Sequence, residues 1–188
     1  MPLYLVRHGE STITGILHSR DPSLGPLTDR GRKEAEAVAA ALARLGFKGP
    51  VFSSPIRRAV ETALYISRDV IIDERLREID MGEWELKRLT EAVGFESYRS
   101  DPVSNPPPGG ESAESVAARV EDFLRSAEEY EAAVAVSHWH VIATAVALTL
   151  GAPLSNIYRI RIDTGSITAI DLKGREVLFV NYKPIFQS

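Results

Sequence analysis

The chain alternates between short apolar runs that end in polar or charged residues and longer stretches with apolar positions every three or four residues. Leu3–Val6, Val51–Ser54, Val70–Asp73 and Ala132–Val136 have the length and near-continuous apolar character of strands covered on both faces. Between them the period lengthens. Ala35, Val38, Ala39 and Leu42 form one stripe and predict a helix from about Arg30 to Leu45, capped by Thr28-Asp29 and stopped at Gly46. Ile56, Val60, Ala63 and Leu64 predict a second, opened by Pro55 and ending near Ser67. A third runs from Ala113 to about Tyr130 behind a Ser112 cap, and an apolar fourth follows His138-Trp139-His140 to Leu150, closed by Gly151. Late strands are predicted over Ile157–Ile162, Ser166–Leu172 and Val177–Tyr182. Residues 11–27 and 74–110 read as irregular, apart from a weak helical piece over about Lys87–Tyr98, and Asn105–Gly110 reads as a crossing loop.

Strands alternating with helices predict an α/β fold: a three-layer α/β/α sandwich with a mostly parallel sheet and helices on both faces. The length, 188 residues, suits one domain spanning residues 1–188. In such sheets ligands sit beyond the carboxyl ends of the strands. That rule gathers Arg7-His8, Ser53 to Arg58 and His138 at one edge, although they are far apart in sequence.

Composition narrows the partners. Lys and Arg total 22 against 26 Asp and Glu, a net charge of −4, which disfavours general nucleic-acid binding. Without cysteine there is neither a disulfide frame nor a thiolate metal site. No apolar run reaches the length of a membrane span, and the first 20 residues lack the pattern of a signal peptide. The expectation is a cytoplasmic protein with a small-molecule substrate, no membrane or nucleic-acid partner and no cofactor.

The strand tips carry a coherent chemistry. A phosphomonoester needs its charge neutralised, an in-line nucleophile and a proton for the leaving oxygen. Arg7 and Arg58 can clamp phosphate oxygens, one of His8 and His138 can attack phosphorus while the other binds an oxygen, and an acid from residues 78–85 can protonate the leaving alcohol. Gly9 would let backbone approach a ligand. A metal is not required, because Arg and His supply the positive charge. By chemistry alone Arg57 competes with Arg58, and Glu83 with Glu78.

Six segments, in order, are similar to the histidine phosphatase superfamily, which includes the cofactor-dependent phosphoglycerate mutases: Arg7-His8-Gly9-Glu10; Pro26-Leu27-Thr28 with Gly31 and Ala35; Ser53-Ser54-Pro55 with Arg58-Ala59 and Thr62-Ala63; Leu76-Arg77-Glu78 with Gly82 and Trp84-Glu85; Pro108 to Ser112; and Val136-Ser137-His138. The resemblance implies that His8 is the nucleophile that becomes phosphohistidine, that Arg7, Arg58 and His138 hold the phosphoryl group, and that Glu78 acts as acid and then base. It selects Arg58 because the family's arginine directly precedes an Ala, and Glu78 because the family's acid lies four residues before the Gly. The chain departs from the pattern twice. Thr14 stands near the place of an Asn that touches phosphate, where a hydroxyl can still donate. Trp139 follows the second histidine where Gly is common, which narrows the mouth and offers a stacking surface.

Other polar residues have plainer readings. His18 lies in a polar loop and is expected to be solvated. His140 is expected on the helix surface or in packing, Trp84 beneath the site, and Arg57 on the rim. Lys87, Arg88 and Arg99 read as a solvated face or an entrance, and Ser53 as a phosphate contact or a strand end. The expected function is a metal-independent phosphomonoesterase acting on small phosphorylated metabolites. The nearest rival is a phosphoglycerate mutase, disfavoured because Leu86–Pro108 is modest and the tail after Tyr182 is short. A metal hydrolase built on His138-Trp139-His140 and a non-catalytic phosphate-binding module are the rivals from other classes.

Overall fold

The computed structural model describes residues 1–17, 21 and 23–185. His18 therefore lies outside the described residues. The strands β1 (Pro2–Arg7), β2 (Val51–Ser53), β3 (Val70–Ile72), β4 (Ala133–Ser137), β5 (Ile167–Asp171) and β6 (Glu176–Tyr182) form one sheet in the order β3-β2-β4-β1-β5-β6. β1 to β4 are mutually parallel, whereas β5 runs antiparallel to β1 and β6 antiparallel to β5. A parallel sheet therefore carries an antiparallel pair on one edge, which needs only a short turn.

The helices are α1 (Asp29–Arg44), α2 (Arg57–Ile66), α3 (Phe95–Ser100), α4 (Ala113–Ala127) and α5 (Trp139–Leu150). Two caps follow the sequence: the Thr28 hydroxyl accepts from Gly31 N–H, and that of Ser112 from Ser115 N–H. Gly151 closes α5 at φ +63°, where a Cβ would be disfavoured.

Alternation along β1 divides the core. Leu3 and Leu5 belong to a cluster with Phe52, Val116, Val120 and Phe123, on the face covered by α4 and α5. Val6 belongs to a second with Val38, Leu42, Ala59 and Ala63, on the face of α1 and α2. The three layers are thus present. Each fully buried Leu or Ile in these clusters contributes about 1.5–3 kcal/mol.

Two predicted elements are corrected. The stretch Ile157–Ile162 is not a strand; Leu154–Arg159 forms a 3-10 helix, and Ile160 N–H bonds back to Ile157 C=O. Ile157 and Ile160 are three apart, which matches the 3-10 period rather than the strand period of two. Ile157 packs on Ala143 and Ala147 of α5. The helix predicted over Lys87–Tyr98 is split into a 3-10 turn (Leu89–Glu91) and α3, with Gly94 at φ +89° between them.

Candidate active site

The parallel register of β1 and β4 pairs Arg7 with Ser137, so the following residues, His8 and His138, emerge side by side. Their rings lie 5.1 Å apart at 59°, and both are buried. β2 adds Ser54 on the other side of β4: its N–H bonds Val136 C=O, and its hydroxyl meets His138 Nε2 at 2.8 Å. The next turn of chain opens α2, whose first turn brings Arg58 inward, 1 % exposed, with Nε donating to His8 Nε2 at 3.1 Å. Arg57, on the opposite side of that turn, is exposed and ion-paired with Glu61.

These contacts fix the tautomer of His8. Its Nδ1 lies 2.8 Å from Gly9 C=O, which only accepts, so Nδ1 carries the proton. Arg58 Nε only donates, so Nε2 carries the lone pair. The unprotonated nitrogen of His8 therefore faces the guanidinium cluster. Gly9 also has a packing role that the sequence did not suggest. A Cβ there would meet Gly31 C=O of α1 at 2.3 Å, and one on Gly31 would meet Glu10 C=O at 1.9 Å. The pair lets the β1 tip and the start of α1 touch through backbone. Thr62 of α2 completes the fixing of this loop: its hydroxyl accepts from Gly9 N–H at 3.0 Å.

The electrostatics favour an anion. Arg7 donates to Ile162 C=O at 2.6 Å, while its Nε is buried without a hydrogen-bond partner. Burial lowers the pKa of Arg7, against the opposing pull of Glu78. Burial also lowers that of Arg58 to about 10; Glu78 raises it and the Arg7 charge lowers it again. Two desolvated guanidiniums face the site, with Glu78 the carboxylate that acts most strongly on both, and an oxyanion held between them would offset the cost of burying their charge.

Glu78 is 1 % exposed, whereas Glu83 is exposed and bonds through its backbone to Pro108. Oε1 of Glu78 takes two donors, the Ile79 N–H at 3.0 Å and Nδ1 of His140 at 3.1 Å. Behind it, His140 Nε2 lies 2.9 Å from the Tyr98 hydroxyl and 3.0 Å from that of Tyr158. Burial raises the pKa of both tyrosines, so they remain protonated. With Glu78 ionised, Nδ1 of His140 must donate and Nε2 accepts from a tyrosine. His140 is thus buried, packed among Tyr98, Trp139 and Tyr158 as one of its two readings had it, and bonded to the carboxylate; the surface reading is corrected. No signal in the sequence pointed to the contact with Glu78; Ser54 and His138 were expected at the same sheet edge, but not as hydrogen-bond partners.

The remaining candidates divide. Thr14 lies in an exposed turn, where its hydroxyl accepts from Ser11 N–H at 3.1 Å. Ser53 is buried and donates to Ser54 C=O. Trp84 packs beneath the site against Phe95 and Tyr98. Arg99 is paired with Glu96. Trp139 lies 4.5 Å from Tyr158, and both line a cleft of about 200 Å³ that opens beside Arg7. His138 and His140, the two histidines a metal site would share, face separate partners, Ser54 and Glu78. Among the described residues, no group of three or more metal-ligating side chains converges. No helix among them is long and apolar enough to cross a membrane.

Residues 3–183 match the family described as the histidine phosphatase superfamily, branch 1. A relative from Hydrogenobacter thermophilus, whose name assigns it provisionally as phosphoserine phosphatase 2, is 36 % identical over 95 % of this chain and 93 % of its own. The adenosylcobalamin/α-ribazole phosphatase of Escherichia coli K12 is 30 % identical over 93 % of this chain and 92 % of its own. Among solved structures, mycobacterial glucosyl-3-phosphoglycerate phosphatase Rv2419c with bound VO3 superposes at a TM-score of 0.80, with 27 % identity over 90 % of this chain and 92 % of that one.

Proposed function

The chain belongs to the histidine phosphatase superfamily, and on that premise we propose that it hydrolyses small phosphomonoesters without a metal ion, through a phosphohistidine at His8. The observation that carries this is the state of His8: Nδ1 is locked by Gly9 C=O, and the lone pair of Nε2 points at Arg58. On substrate binding, Arg58 exchanges His8 for a phosphoryl oxygen, with Arg7 and His138 on the others. Nε2 then attacks phosphorus in line and the ester P–O bond breaks. The leaving oxygen takes its proton from Glu78. Two donors already occupy Oε1, so the acidic proton belongs on Oε2. In the second half, the Glu78 carboxylate takes a proton from water, the water oxygen attacks phosphorus, the P–N bond breaks and its electrons return to Nε2. His140 keeps Glu78 oriented through both halves. Thr14 is proposed as a further phosphoryl donor after its turn closes on the anion.

Phosphate release from a panel of metabolites, with 3-phosphoglycerate and 2,3-bisphosphoglycerate among them, tests this reading. Hydrolysis should persist in chelator and be inhibited by vanadate, which adopts the five-coordinate geometry of the transition state. Activity lost in chelator and restored by a divalent ion would point to the metal hydrolase. Phosphoryl exchange between the two glycerates outpacing phosphate release would point to the mutase.

A further inference from the structure

The cleft beside Arg7 has walls of one kind. Leu17, Met81, Phe95, Trp139 and Tyr158 line it, and Arg7 is the one fixed charge among its described lining residues. Arg7 is engaged by the phosphoryl site. Two of the other polar lining groups are turned inward: His140 bonds Glu78, and the Tyr158 hydroxyl bonds His140. The ring of Tyr158 is covered by Trp139 at 4.5 Å and 34°, and met edge-on by Phe95 at 6.4 Å and 87°. Such rings hold one another in place and present carbon surface to an incoming group. Leu89, half exposed, continues that surface to the rim. A carboxylate or ammonium entering here would lose water without gaining a charged partner from those walls.

We propose, building on the phosphatase reading above, that this cleft receives the alcohol portion of the substrate and selects phosphomonoesters whose alcohol carries an aromatic ring or comparable apolar group. Short charged esters such as phosphoglycerate or phosphoserine are disfavoured. The determinant specific to this chain is Trp139, which stands where the family commonly has Gly.

The comparison must hold the leaving group constant, because aryl phosphates react fast for reasons unrelated to binding. 2-Phenylethyl phosphate and ethyl phosphate both release an alkoxide and differ by the ring. The wild type should favour the phenylethyl ester by about tenfold in kcat/KM, which corresponds to roughly 1.4 kcal/mol of ring burial. Trp139→Ala should lower that ratio severalfold, chiefly by raising KM for the ring-bearing ester. A second measurement is independent of how that variant folds: 3-phenylpropylphosphonate should inhibit the wild type about tenfold more tightly than propylphosphonate. Equal kcat/KM for the two esters, equal inhibition by the two phosphonates, or a tenfold preference for 3-phosphoglycerate or phosphoserine over the phenylethyl ester would overturn the inference. Labelling of His8 by nitrophenyl phosphate, run in parallel, reports on the phosphohistidine mechanism alone. A labelled enzyme with no ring preference loses only the substrate class, and a ring preference without label loses only the mechanism.

Discussion

Replacing His140 separates the orientation of the acid from its presence. His140 supplies one of two N–H donors to Oε1 of Glu78, at 3.1 Å, from a fully enclosed position. A hydrogen bond to a charged group contributes about 1.5–3 kcal/mol, and part of that is recovered if water or the Ile79 N–H takes over. His140→Ala should therefore slow phosphoenzyme formation from an alkyl phosphate by about tenfold, equivalent to ~1.4 kcal/mol. Removing the acid altogether costs more, within the roughly 10²–10⁴-fold supplied by general acid catalysis. Nitrophenyl phosphate, whose leaving group needs little protonation, should be slowed far less. The substitution also leaves the hydroxyls of Tyr98 and Tyr158 without their common acceptor. The two can still bond each other, so one unmet group remains, at about 1–3 kcal/mol of stability. His140→Asn provides the control. Its amide nitrogen takes the place of Nδ1 and keeps the bond to Glu78, but it cannot reach the tyrosines. It should recover most of the alkyl phosphate rate while remaining destabilised in urea. Single-turnover kinetics on the two substrates, with urea midpoints for both variants, complete the assay. Equal slowing of both substrates by His140→Ala, or an Asn variant as slow as the Ala variant, would refute the reasoning.

The other expectations concern charge and assignment. Glu78→Gln should slow alkyl phosphates by about 10²–10⁴-fold in the phosphorylation step and spare nitrophenyl phosphate, whereas Glu83→Gln, exposed, should show no dependence on leaving group; the reverse pattern assigns the acid to Glu83. Burial lowers the Arg58 pKa to about 10, so in the free enzyme the charged form is disfavoured by the fold; the resulting stability penalty is fully present below about pH 10 and is relieved progressively as pH rises from there toward the ordinary arginine value. Binding of an anion favours the charged form, so the affinity for an alkylphosphonate, fully ionised in this range, should fall by up to tenfold per unit above about pH 10; calorimetry showing constant affinity from about pH 9 to 11 contradicts this.

His8 and its surroundings were legible because each lies at a chain position that sequence can place. His8 and His138 end apolar runs, Arg58 opens the helix after a third, and parallel pairing brings such ends together whatever their separation. The choices between Arg58 and Arg57 and between Glu78 and Glu83 rested on resemblance; in the structure, the first of each pair is buried and the second exposed. The contact of His140 with Glu78 spans 62 positions and joins a helix to an irregular segment, so no periodicity announces it. Ile157–Ile162 reads as a strand because its isoleucines are β-branched and Ile160 and Ile162 alternate, whereas the segment follows the three-residue spacing of Ile157 and Ile160. The packing of Gly9 on Gly31 was not legible, because it exists only once α1 is docked on the tip of β1.

The central claim is that phosphorus is transferred to Nε2 of His8. Rapid quench of the wild type with radiolabelled substrate, followed by peptide mapping, should give a label on His8 that is lost in acid and stable in base, as a nitrogen-linked phosphoryl group requires. His8→Ala should give neither label nor turnover, since the attack is assigned to His8 alone. An acid-stable label on Ser53 or Ser137, or full turnover by His8→Ala, would contradict the account.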